Sequence, residues 1–177
     1  VGLEEGFHAQ NADLTTLPSV CGLSAEARKA WQSEIRRRCE GRSFDQVWVE
    51  LVHSEWDEEF WQWIQGIAPV RVGLIMESLR YEPDVYAQSP HLLQRHAHVE
   101  KRLRHVTHAL CIDEADAEEL RQSGQAAVWW PQAVPERFLL APPNEPPDRR
   151  GVFLGSVYGS RNEWLQHPSL VGLLTFQ

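Results

Sequence analysis

The sequence predicts an α/β fold: an open parallel sheet of Rossmann type with helices on both faces, joined to the start of a second Rossmann-like domain. Three observations predict it. Apolar, β-branched runs recur at intervals of roughly 20–35 residues, which calls for parallel pairing through crossover connections. Helical periodicities fill the intervals. Between Pro131 and Arg150 lie six of the eleven prolines, after which a new strand begins.

The elements follow in order. From Ser24 to Cys39, the residues Ala27, Trp31, Ile35 and Cys39 stand four apart, with Arg28, Lys29, Arg36 and Arg37 elsewhere, which predicts an amphipathic helix with a basic outer face. The run Gln46 to Val52 is rich in valine and tryptophan and reads as a largely buried strand. Ser54 stands three residues before Asp57, a capping-box spacing that predicts the start of a helix whose stripe is Phe60, Trp63, Ile64 and Ile67. Val70 to Met76 is the second strand. Pro90 to about Val106 reads as a helix with Leu92, His96, Val99 and Leu103 on one face. Ala109 to Ile112 is a third strand, Asp113 caps a helix that Gly124 closes, and Ala126 to Trp130 is a fourth strand.

The proline-rich tract is stiff and extended, unlike a helix–strand loop. The expected organisation is therefore a first domain over 1–130, a linker over 131–150, and the beginning of a second domain over 151–177, with the strand at 151–156 outside the first sheet. Both ends read as cut: the chain opens at Val1 without an initiator methionine and stops in the apolar segment Leu170 to Gln177.

Composition narrows the function. The chain has 177 residues, 25 Asp and Glu against 17 Lys and Arg, and a formal charge of −8, which disfavours a nucleic-acid binder. Disorder and fibre are excluded by 42% hydrophobic residues. No uncharged apolar run approaches the roughly 18 residues of a membrane span. The three cysteines, Cys21, Cys39 and Cys111, are far apart and form no CxxC pair, which fits a reducing cytoplasm.

Open parallel sheets bind ligands beyond the carboxyl ends of their strands. Those positions hold His53, Ser54 and Glu55, then Glu77 and Ser78, then Asp113 and Glu114. Capping accounts for Ser54 and Asp113. No cap explains His53 and Glu77, which are open to a general-base, binding or structural role. If they serve one acceptor site, they should line a common cleft. The tract Gly155-Ser156-Val157-Tyr158-Gly159-Ser160-Arg161 brings small residues and an arginine to a helix start, which suits a diphosphate, although it matches neither GxGxxG nor a Walker loop. The histidines 96, 98, 105 and 108 cluster in sequence, but no carboxylate or cysteine completes a usual zinc set, so no metal is expected. Arg36-Arg37-Arg38 and the run Arg95 to Arg104 read as solvated helix surface rather than a phosphate patch. The tryptophans fall mostly in apolar stripes; Trp129 and Trp130, at a strand end, suit core packing or stacking on a sugar.

The segment Pro131 to Phe138, followed by Phe153-Leu-Gly155-Ser156-Val-Tyr158-Gly-Ser-Arg161, resembles the domain crossing of GT-B glycosyltransferases. It is most similar to the spore-maturation CgeB-type group, whose second domain opens with a comparable FxGSxYxxR stretch. His108-Ala-Leu-Cys-Ile-Asp-Glu114 and the upstream order of elements are also similar to that group's first domain. The resemblance implies two facing Rossmann-like domains, an acceptor on the first and a nucleotide-sugar donor mainly on the second, with no cofactor and no bound metal. It places Gly155, Ser156 and Arg161 on the donor diphosphate; His53 and Glu77 come from strand-end position alone. The expected partners are the donor and an acceptor that the sequence does not identify. The alternative is a non-catalytic Rossmann-like binding or regulatory module.

Overall fold

The computed structural model describes residues 2–17, 22–53, 55–131, 151–153, 161–170 and 174–176. The chain folds as two compact units, one of Val1–Arg80 with Leu93–Ala133, the other of Tyr81–Leu92 with Val134–Gln177. The first unit holds α1 (Gly2–Ala9), α2 (Ala25–Arg38), β1 (Gln46–Glu50), α3 (Glu58–Ile67), β2 (Val70–Ile75), β3 (His108–Cys111), α6 (Glu114–Gln122) and β4 (Ala127–Trp129). The helix α5 (His91–Leu103) lies in it from Leu93 onward. The second unit holds α4 (Pro83–Gln88), β5 (Gly151–Phe153), α7 (Arg161–Leu165) and β6 (Leu174–Phe176).

The strands β1 to β4 form one parallel sheet in chain order, and β5 pairs in parallel with β6 in a separate sheet. An order that never reverses, connected by right-handed crossovers, sends the crossing helices to one face. Burial agrees. Register puts Val49, Gly73, Ala109 and Ala127 side by side on one face, with Leu51, Ile75 and Cys111 a step further along. Leu51, Ile75, Ala109 and Cys111 there are fully buried, in one core with Phe60, Trp61 and Ile64 of α3, Val99 and Leu103 of α5, and Ala117 of α6. The opposite face carries Trp48, Val72, Leu74, Leu110 and Val128. It is covered at Trp48 by Phe7 of α1, edge-on at 4.9 Å, while Val128 is 52% exposed. Helices thus meet both faces, but very unequally.

Gly73 stands where the covered face has no room. A Cβ there would lie 2.5 Å from Leu51 Cδ1, so the glycine makes space for a fully buried leucine. Gly124 ends α6 at φ +91, a conformation only glycine adopts without strain, and the Gln125 N–H then donates to the Leu120 carbonyl at 2.9 Å.

The predicted opening of α3 is corrected. Ser54 lies outside the described residues; the helix starts at Glu58 with Asp57 rather than Ser54 as N-cap, and the Asp57 side chain caps no backbone group. Arg28 of α2 takes it instead, its Nε donating to Oδ1 at 3.1 Å, so a contact between helices overrides the local capping pattern. The cap at Asp113 is as expected, its side chain accepting from the Ala115 amide, and Ser24 caps α2 in the same way, accepting from the Ala27 amide. The arginines at the end of α2 are occupied within the fold. Arg37 and Arg38 bond Glu34, holding its carboxyl down to about 2, and Arg36 lies over the Phe60 and Trp63 rings at 5.8 Å.

Candidate functional site at the carboxyl edge of the sheet

Beyond Glu50 the chain keeps its pairing for one residue, the Leu51 N–H donating to the Leu74 carbonyl at 2.9 Å, and then turns sharply. Two groups hold the turn. Glu50 folds back to accept the His53 N–H at 2.8 Å and the Val52 N–H at 2.5 Å. Arg102 of α5 donates to the Val52 carbonyl at 3.1 Å and to the Leu51 carbonyl. Burial pushes the Arg102 guanidinium down, and Glu50 and Glu55 oppose that shift.

This turn sets the His53 imidazole between two carboxylates. Its Nδ1 stands 3.5 Å from Glu50 Oε1 and its Nε2 3.2 Å from Glu77 Oε1. The other Glu77 oxygen accepts from Arg95 of α5. His53 is 45% exposed and Glu77 33%, so the pair is open to a ligand while its outer members are anchored. His53 and Glu77, on the ends of adjacent strands, are thus brought into direct contact. Sequence reasoning missed Glu50, Arg95 and Arg102. Glu50 read as a residue of an apolar strand, and the two arginines as part of a basic helix surface.

The next strand end is tied down by acidic side chains of α6 and its cap. Ser78 Oγ donates to Asp113 Oδ2 at 3.1 Å, the Leu79 N–H donates to Asp116 Oδ2 at 2.7 Å, and Arg80 pairs with Glu119. Asp116 is only 2% exposed, and burial pushes its carboxyl up from the usual range. The spacing 113, 116, 119 marks one helix face, and it holds the loop that carries Glu77.

At the far end of the sheet, the Trp129 Nε1–H donates to the Ile112 carbonyl at 3.3 Å. Trp129 is 45% exposed, which corrects the core-packing reading for that residue.

On the donor side, Gly155 and Ser156 lie outside the described residues. So does the side chain of Arg161, whose backbone opens α7. The clustered histidines have separate surroundings. His105 is buried and stacked on Trp61 at 5.6 Å, whereas His108 is exposed, its Nδ1 3.0 Å from Thr107 Oγ1. Among the described residues no group of three or more His, Cys, Asp or Glu side chains is arranged to hold a metal ion, and no helix is long and apolar enough to cross a membrane.

No family model matches the chain, and neither a curated protein nor a solved structure shows significant similarity to it.

Proposed function

We propose that the chain is the acceptor-side domain and crossing segment of a GT-B-type glycosyltransferase, moving a sugar from a nucleotide-sugar donor to an acceptor hydroxyl without a bound metal. The observation behind this reading is the His53–Glu77 contact at the carboxyl ends of adjacent parallel strands. In the proposed reaction His53 takes the proton of the acceptor hydroxyl as its oxygen attacks the anomeric carbon. The imidazolium so formed lies between Glu50 and Glu77, which is an electrostatic arrangement prepared in advance. Arg95 fixes Glu77, and the Glu50 turn fixes the imidazole. Gly155, Ser156 and Arg161 are assigned to the departing nucleoside diphosphate from sequence resemblance.

The test is release of nucleoside diphosphate from a panel of nucleotide-sugars by the complete gene product. Glu77→Gln should lower kcat by about 10²-fold, the range of a positioned general-base system. Arg161→Ala should weaken donor binding by about tenfold or more, the loss of one charge-assisted phosphate contact. Full activity in Glu77→Gln, or unchanged donor affinity in Arg161→Ala, contradicts the assignment of that residue. A second reading, a binding module without chemistry, draws on one observation: both Glu77 oxygens already have partners inside the protein. Binding of a nucleotide-sugar without turnover would favour it.

A further inference from the structure

We propose that the carboxyl edge of the β1–β4 sheet is a groove for a neutral oligosaccharide, with the Trp129 indole as its stacking platform. This rests on the glycosyl-transfer reading of His53 and Glu77 and specifies the acceptor. Trp129 is in register with fully buried Cys111, yet nearly half its surface meets solvent. The hydrogen bond from its Nε1 to the Ile112 carbonyl holds the ring at the end of β3. From there a continuous polar row leads back across the sheet: Asp113 bonded to Ser78, then Glu77 against His53. An exposed aromatic ring offers the apolar C–H face of a pyranose a partner, and carboxylate and hydroxyl oxygens offer partners to its hydroxyls. Strands spaced ~4.8 Å apart put the end of β4 ~10 Å from that of β2 and ~14 Å from that of β1, the span of two or three pyranose rings. Charge selects a neutral glycan. Glu50, Glu77 and Asp113 face the row, and the Arg95 guanidinium is already bonded to Glu77.

The test reads binding, not turnover. The protein is labelled with 5-fluorotryptophan, the Trp129 resonance is assigned from Trp129→Phe, and maltotriose, cellotriose, chitotriose and trigalacturonate are titrated by ¹⁹F NMR. At least one neutral trisaccharide should shift the Trp129 resonance, with a Kd on the order of 1 mM. Trp129→Ala should weaken that binding about tenfold, Trp129→Phe much less, and Trp164→Ala, which alters the 65% exposed tryptophan of α7, not at all. The proposal is overturned if no neutral trisaccharide binds, if trigalacturonate binds as well, or if Trp129→Ala leaves affinity unchanged. Saccharide binding at Trp129 without any sugar transfer would refute the glycosyl-transfer reading and leave the platform standing. Transfer with an unmoved Trp129 resonance would do the reverse.

Discussion

Replacing Gly73 by alanine should destabilise the first unit, because the new methyl group enters space that Leu51 fills. The added Cβ would stand 2.5, 2.9 and 3.3 Å from Leu51 Cδ1, Cγ and Cδ2, where carbon atoms prefer about 3.5–4.0 Å. Leu51 is fully buried, so it cannot swing into solvent, and its carbonyl is held by Arg102. Overpacking of this kind costs about 1–3 kcal/mol, offset by about 0.4–1 kcal/mol from the stiffer unfolded chain, for a net loss of about 1–2 kcal/mol. Leu51→Ala alone should lose about 2–5 kcal/mol through its cavity. In the double variant the methyl group introduced by Gly73→Ala occupies part of that cavity, so the two losses should fall short of additive by about 1–2 kcal/mol. Urea unfolding of the four proteins, followed by tryptophan near-UV circular dichroism, measures the cycle. A neutral Gly73→Ala, or strictly additive losses, would rule out the close approach of Leu51 to Gly73.

Three further outcomes follow from buried titratable groups. Burial holds the His105 imidazole below its ordinary value of 6.5, with Glu58 opposing that shift. The unfolded chain therefore binds the proton more readily, and stability present above pH 6.5 is lost as pH falls below it. His105→Phe, which keeps a ring on Trp61, should flatten that slope in urea midpoints between about pH 7.5 and 5; an unchanged slope assigns it elsewhere. For Asp116 the sign is opposite. Its carboxyl is raised above 3.8, so the folded state binds the proton more tightly and stability falls as pH rises through the raised value. Asp116→Asn keeps an acceptor for the Leu79 N–H and should be at least as stable as the parent at neutral pH; a loss equal to that of Asp116→Ala would contradict this. Burial also raises the Cys39 thiol and pushes that of Cys111 up to about 11, so a thiol reagent near pH 8 should label these two residues only after unfolding. Labelling of Cys111 in the native protein at the unfolded rate would show that its burial is wrong.

The sheet was legible because its signals are local. The apolar runs at 46–52 and 70–76 became β1 and β2 with ends shifted by one or two residues, and the Asp113 cap and Gly124 turn needed only their own neighbours. Of the predicted α5 stripe, Leu92, Val99 and Leu103 are buried, while His96 is only half-buried. What could not be read depends on residues distant in sequence. Asp57 loses its capping role to an arginine 29 positions away, and Leu51 dictates a glycine in the neighbouring strand. The candidate site divides in the same way. Strand-end position alone singled out His53 and Glu77. That they touch, and that Glu50 and Arg95 anchor them, follows from register and from the placement of α5. The short helices α1 and α4 gave no periodic signal long enough to read, since one or two turns offer too few positions for a stripe.

In the proposed reaction the His53 imidazole, set between Glu50 and Glu77, takes the proton of the acceptor hydroxyl. The most direct test is the rate of sugar transfer by His53→Ala in the complete gene product, with and without added imidazole. If His53 is the base, kcat should fall by about 10²- to 10⁴-fold with donor affinity unchanged, and the rate should recover in part as imidazole fills the vacated site. Transfer by His53→Ala at the parent rate, or a loss that imidazole does not restore and that appears only in KM, would contradict that role.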